Sequence, residues 1–207
     1  MILLINPNST VAMTDAMAVV ARAAIPGVAV EAWTSHDGPP AIQGPEDGAA
    51  CVPPLLALVR EATEARAIII GCFDDTGLAE ARAIAPCPVI GIGQAGYHLG
   101  ALAGRFSVVT TLDVSVPVLE ANIHAYGLGG QLGRVRASGV PVLDLERDVP
   151  GAAEQVIAEI AAARDADGVD SVVLGCAGMS HIPARAGDVG IRLIDGVKAA
   201  VQMAVLL

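Results

Sequence analysis

Two cysteines stand at matched places in this chain. Ala67-Ile68-Ile69-Ile70-Gly71-Cys72 returns 104 residues later as Ser171-Val172-Val173-Leu174-Gly175-Cys176. A thiolate is a base and a nucleophile, and near a helix N-terminus its pKa falls from about 8.5 into a range of about 3.5–7.5. Two thiols across one cleft suit a reaction with two faces: one thiolate lifts a proton from a stereocentre and the opposite thiol delivers one. The product is the mirror image of the substrate. The enolate formed on the way needs N–H donors, which the backbone amides of Phe73, Asp74, Ala177 and Gly178 are placed to supply. Free cysteines in apolar strands are more often small core residues. The duplication argues against that for this pair, whereas Cys51 and Cys87 face Gln155 and Ile191 at the same offset and read as structural.

The elements that position the thiols follow from the same repeat. Each cysteine ends a short β-branched apolar run, the pattern of a buried parallel strand, and chemistry in α/β folds gathers at the carboxyl ends of such strands. Ile2–Asn6 aligns with Phe106–Thr110 at the same spacing, and Pro88–Gly91 with Arg192–Asp195. The chain therefore reads as α/β with two pseudo-symmetric lobes, each a parallel sheet flanked by helices, and a site in the cleft between them. The lobes are expected at residues 1–104 and 105–195, with a final helix over about 196–207 packing back on the first.

Between the strands, a helix is expected from Val11 to Ala24, with Val11, Met17, Val20, Ala21 and Ala24 on its buried face and Ser9 or Thr10 as cap. Asn8 and Ser9, in the loop before it, could instead hold a ligand. Val28–Trp33 reads as a strand. A helical stretch from Glu46 to Ala65 should break or restart at Pro53-Pro54. Asp75 or Thr76 is the natural cap of the helix after Cys72, which would put that thiol close to a helix N-terminus. Val116–Tyr126 ends at Gly127, a C-cap signal. Val135–Ala137 and Val142–Leu143 are weak strands, and Pro150 opens a helix reaching about Ala166 with Ala153, Val156, Ile157 and Ile160 inward.

Composition narrows the partners. The 207 residues carry a net charge of −10, with 12 basic residues unclustered and one Trp, two Tyr and two Phe to stack on bases, so nucleic acid is a poor partner. No apolar run approaches the roughly 20 residues that span a bilayer, and the start lacks a signal-peptide pattern, so a cytoplasmic protein is expected. Neither the four cysteines nor His36, His98, His124 and His181 show metal-ligand spacing, and no metal or cofactor is expected. Gly91-Ile92-Gly93-Gln94-Ala95-Gly96 reads as a strand-to-helix turn rather than a nucleotide loop.

Several stretches also resemble a known family. Asn6-Pro7-Asn8-Ser9, Gly71-Cys72-Phe73-Asp74-Asp75-Thr76-Gly77-Leu78, Val108-Val109-Thr110-Thr111 and Leu174-Gly175-Cys176-Ala177-Gly178-Met179 are similar to motifs of the Asp/Glu/hydantoin racemase superfamily, most of all to its hydantoin racemases. The similarity extends through Gly38–Ile42, Ser115-Val116-Pro117 and Val140–Leu143. It implies two flavodoxin-like lobes, homo-oligomeric assembly and cofactor-independent racemisation, with Cys72 and Cys176 as the acid/base pair. Asn8, Ser9 and Thr111 are the implied substrate contacts, with Gln94 a weaker one. Relatives commonly have Gly-Asp-Pro-Gly after the Cys-Phe pair; this chain has Asp74-Asp75-Thr76-Gly77, and Asp74 adds a carboxylate beside Cys72. The implied substrate is a 5-substituted hydantoin. Allantoin, an amino acid, or maleate as an isomerase substrate are the alternatives, and a thiol amide hydrolase pairing Cys176 with His181 is the rival from another class.

Overall fold

The structure, a computed structural model, describes residues 1–147 and 149–207. Continuous apolar runs become strands with both faces covered, as parallel sheets require. In the first half β1 (Ile2–Asn6), α1 (Val11–Ala24), β2 (Val30–Thr34), α2 (Pro45–Glu61), β3 (Ala67–Ile70), α3 (Leu78–Ile84), β4 (Val89–Gly91) and α4 (Ile92–Ala103) build a sheet of order β2-β1-β3-β4. In the second, β5 (Phe106–Thr110), α5 (Val116–Ala125), β6 (Leu132–Ala137), α6 (Asp144–Arg147), α7 (Val149–Ala166), β7 (Ser171–Leu174), α8 (Ile182–Ala186), β8 (Arg192–Asp195) and α9 (Gly196–Val205) build β6-β5-β7-β8. All pairings are parallel, and the repeat survives in register: Ile2 pairs with Ala67 as Phe106 pairs with Ser171, and Ile68 with Val89 as Val172 with Leu193.

Alternation along the strands sorts the core. Leu3, Ile5, Ile68 and Ile70 face Leu55 and Val59 of α2, while Val109, Val172 and Leu174 face Val156 and Ile160 of α7. The opposite faces of both sheets merge into one continuous core holding Leu4, Ile69, Phe73, Tyr97, Phe106 and Val173. The last helix crosses back: α9 packs on α4 and α1. Gly196 permits this, since an added Cβ would strike the carbonyl oxygen of Ile92. Tyr97 packs edge-on to Phe73, ring centres 5.2 Å apart, a contact worth about 0.5–1.5 kcal/mol beyond its buried area.

Five expectations are corrected. Helix α2 runs unbroken through Pro53 and Pro54: the carbonyls freed by the missing N–H groups belong to the exposed Ala49 and Ala50, where water can satisfy them. Val142–Leu143 is a turn rather than a strand. The buried face of α1 is Met13, Thr14, Met17, Ala18 and Ala21, with Val11 exposed. Thr10 occupies the cap position without capping; its hydroxyl donates to Pro40 O at 2.7 Å, and the loop is held instead by the fully buried Asn6, whose Nδ2 donates to Asn8 Oδ1 and Thr14 Oγ1.

The fifth concerns Asp75, which does not cap α3; the residue before that helix is Gly77, in the left-handed region. Asp75, itself at φ +52°, turns its carboxylate onto the start of α4, accepting from Gly93 N–H at 3.1 Å and Gln94 N–H at 2.7 Å, where the helix dipole favours negative charge. The Tyr126 hydroxyl reaches it from the second half at 3.0 Å, and Asn122 Nδ2 donates to Asp74 O at 2.8 Å. Burial nonetheless pushes the Asp75 carboxyl up to about 7 against these donors. The two halves are thus tied through the loop that follows Cys72. Asp75→Ala should destabilise the protein by about 2–4 kcal/mol in urea unfolding, because it strands two amides and a hydroxyl, and Tyr126→Phe by about 1 kcal/mol.

Candidate active site

The repeated Gly-Cys pair is fixed by the backbone before any side chain acts. Gly71 N–H donates to Ile5 O at 2.8 Å and Gly175 N–H to Val109 O at 2.7 Å, so each chain leaving β3 or β7 stays hooked to the adjacent strand. A Cβ at Gly71 would meet Met17 Sδ at 2.9 Å, and one at Gly175 would meet Val109 O at 2.8 Å. The following turns also match: Asp75 N–H donates to Cys72 O at 3.1 Å, and Met179 N–H to Cys176 O at 3.0 Å. Both thiols emerge beyond the carboxyl ends of their sheets and line one cleft of about 40 Å³. They are free thiols.

The cleft takes matching contributions from each half. Gly71, Cys72, Phe73 and Asp74 line one side, and Gly175, Cys176, Ala177 and Gly178 the other. Asn8 and Thr111 also line it. Ser9 does not: its amide is tied to Pro39 O at 2.9 Å in the loop outside. Gln94 lies elsewhere as well, its side chain accepting from Arg82 Nη2. His181 is outside the lining, with a buried Nε2 that has no hydrogen-bond partner, and its pKa is lowered by burial. Five further lining residues escaped the sequence reading. Thr110, Ser115, Ile42 and Val142 sit inside stretches already singled out, whereas Met13 looks like an ordinary apolar position. Gln43 Oε1, accepting from Val142 N–H at 2.8 Å, is a second tie across the cleft.

The electrostatics overturn the expectation of acidified thiols. Cys72 Sγ lies 3.7 Å from Thr76 Oγ1, in the turn that leads into α3. Burial pushes the Cys72 thiol well above its usual range, and the Asp74 carboxylate pushes it further. Burial likewise raises Cys176 to about 12, with Asp74 and Glu146 adding to the shift. The amides of Asp74 and Gly178, matched in the repeat, donate to the two sulfurs and pull in the other direction. They serve the thiols, then, and the amides of Phe73 and Ala177 remain without partners among the described residues. Asp74, raised to about 6 by burial, is the charged side chain of the lining. Among the described residues no group of three or more His, Cys, Asp or Glu is arranged to hold a metal ion, and no helix is long and apolar enough to cross a membrane.

Comparison with known proteins agrees with this geometry. The Asp/Glu/hydantoin racemase family model matches residues 2–204. A hydantoin racemase of Rhizobium meliloti is 44% identical over 206 residues, covering 97% of this chain and 86% of that protein. A second, from a Pseudomonas species, is 34% identical over 97% of this chain and 82% of its own length. Among solved structures, an allantoin racemase from Klebsiella pneumoniae superposes with a TM-score of 0.95 at 34% identity, over 100% of this chain and 86% of that one.

Unacidified thiols should alkylate slowly, even the half-buried Cys176. Reaction of Cys176 with iodoacetamide, followed by peptide mass spectrometry, is expected to rise about tenfold per pH unit from pH 7 to 10 without a plateau, since thiolate remains the minor form until about pH 12. A plateau below pH 8 would mean that the thiol is acidified.

Proposed function

The chain belongs to the Asp/Glu/hydantoin racemase family and is a racemase; from that premise we propose that it racemises 5-substituted hydantoins without a cofactor, Cys72 and Cys176 working on opposite faces of C5. The observation that carries this reading is the convergence of two matched thiols on one cleft whose lining holds no basic side chain. C5 of a hydantoin sits beside a ring carbonyl, so its proton is acidic enough for a thiolate, and the neutral ring asks for no cation. A free amino acid or a maleate dianion would meet Asp74 with no positive partner in the lining. Allantoin, a hydantoin with a ureido group at C5, is the second reading, favoured by the likeness to the Klebsiella structure. A Cys–His hydrolase gains no support, because His181 neither lines the cleft nor bonds to Cys176.

In the reaction one cysteine, as thiolate, takes the C5 proton; the electron pair passes to the ring carbonyl as an enolate; and the other thiol returns a proton to the far face. The free amides of Phe73 and Ala177 are the donors available to the enolate oxygen. A raised thiol pKa makes the thiolate scarce but strong, which suits a weak carbon acid, so kcat/KM should climb with pH above neutrality. We also expect the protein to act in the cytoplasm and to assemble as a homo-oligomer.

The test is exchange in D2O, with optical rotation and mass followed on separate enantiomers of 5-substituted hydantoins and of allantoin. Wild type should invert either enantiomer and place deuterium at C5. Cys72→Ser and Cys176→Ser should each lose racemisation by more than about a thousandfold, while each still exchanges one enantiomer, opposite in the two variants. A single variant that exchanges both enantiomers, or that racemises near the wild-type rate, would refute the assignment of one thiol to each face.

A further inference from the structure

Three segments that wall the thiol cleft also wall a second cavity outside it. The stretch 42–45 gives Ile42 to the cleft and Gly44 and Pro45 to the outer cavity; the stretch 114–118 gives Ser115 to the cleft and Val114, Pro117 and Val118 to the outer one. The third, 74–77, gives Asp74 to both. The outer cavity measures about 670 Å³ against about 40 Å³ for the cleft, and Val52, Val114, Pro117 and Val118 make much of its wall apolar. A ring held between the thiols fills the cleft. Whatever C5 carries must leave it, and the large volume next door lies past Asp74.

Asp74 is poised for a ligand rather than for the fold. Its backbone carbonyl is held by Asn122, but its carboxylate accepts no hydrogen bond from any described residue. It is partly buried, and its ionisation raises the pKa of both thiols. Its partial burial raises the carboxyl to about 6, so at pH 7 it is mostly ionised. Asp75, by contrast, spends its carboxylate on three donors of the chain itself. The second half has glycine at the position equivalent to Asp74, namely Gly178, so the repeat does not demand a carboxylate there.

We propose that the cavity beside Asp74 is the subsite for the C5 substituent, and that Asp74 accepts from N–H groups on it, so that the enzyme selects hydantoins whose side chain carries ureido, guanidinium or ammonium donors over those with hydrocarbon side chains. This rests on the hydantoin reading. Asp74 is in this account a specificity residue: it binds the part of the substrate that does not react.

The test compares kcat/KM for racemisation within matched pairs: 5-(4-aminobutyl)hydantoin against 5-pentylhydantoin, and allantoin against 5-isobutylhydantoin. Wild type should favour the nitrogen-bearing member of at least one pair by about tenfold or more, the scale of a hydrogen bond to a charged group. Asp74→Asn and Asp74→Gly should bring that ratio to within about threefold of unity; because the ratio is taken within each variant, any common change in the thiols that Asp74 adjoins cancels. Gly48→Leu examines the cavity separately. An added Cβ there meets only Thr76 Cγ2, at an ordinary 3.6 Å, so the longer chain should fill the cavity and lower kcat/KM for 5-pentylhydantoin more than for 5-methylhydantoin. Racemisation of all these hydantoins with no preference in wild type, or a preference unchanged in both Asp74 variants, overturns the subsite while leaving the proposed reaction standing. No racemisation of any of them by wild type overturns the reaction and the subsite together.

Discussion

The position of Cys72 depends on one buried carboxylate three residues further on. Asp75 adopts a left-handed backbone conformation uncommon for a residue with a side chain, and the strain is offset by two amides at the start of α4 and the hydroxyl of Tyr126. The surroundings are cut to fit it. A Cβ at Gly91 would land on the Asp75 carboxylate, and one at Gly93 on the carbonyl oxygen of Phe73. Three things that could move independently, the loop after Cys72, the strand-to-helix turn of β4–α4, and the C-terminal end of α5, are thereby made one unit. Since α5 belongs to the second half, the same carboxylate sets how the first thiol's loop meets the other side of the cleft.

No equivalent exists at the second thiol. The residue matched to Asp75 is Met179, fully buried in an apolar cluster with Leu145 and Ile182. Backbone symmetry is retained, down to the turn bonds at 3.1 and 3.0 Å and the amide donated to each sulfur. Side-chain symmetry is not: Phe73 stands against Ala177, Asp74 against Gly178, Asp75 against Met179. The two cysteines are geometrically matched but sit in different fields: Asp74 is the second cause, after burial, of the raised Cys72 pKa, whereas at Cys176 Asp74 and Glu146 rank behind the Gly178 amide. Equivalent placement with unequal electrostatics allows one thiol to ionise ahead of the other, as a reaction needing one base and one acid at a time requires.

Much of this was legible in the chain because parallel strands buried on both faces leave an unmistakable trace, a continuous β-branched run, and here the trace occurs twice at one spacing. Strand boundaries, the pairing of Cys72 with Cys176, and most of the cleft followed from that. What escaped was non-local. Asp75 looks like a helix cap because caps are read from neighbours in sequence, whereas its partners are 18, 19 and 51 residues away. Met13 is indistinguishable from a core residue until the halves meet. Pro53-Pro54 reads as a break because sequence does not say that the freed carbonyls will face water. The thiol pKa was misjudged because burial, which no spacing reveals, outweighs the local donors.

That burial bears on the chemistry in two opposed ways. Withdrawing a thiol from water makes the thiolate costly to form, and the carboxylate of Asp74 adds to the cost at both cysteines. The same withdrawal makes a thiolate, once formed, a stronger base, nearer in proton affinity to the carbanion it must generate, and it keeps out water that would compete for the enolate. A surface thiol of ordinary pKa would be ionised more often and succeed less often at each attempt. The amides of Asp74 and Gly178 shift the balance back, since each stabilises the sulfur only in proportion to its charge and so, in the proposed reaction, assists whichever cysteine is the base. Because the backbone supplies this help at both matched positions, the proposed two-thiol reaction needs no rearrangement for either cysteine to be the base, and in it the direction of inversion is left to the enantiomer that enters.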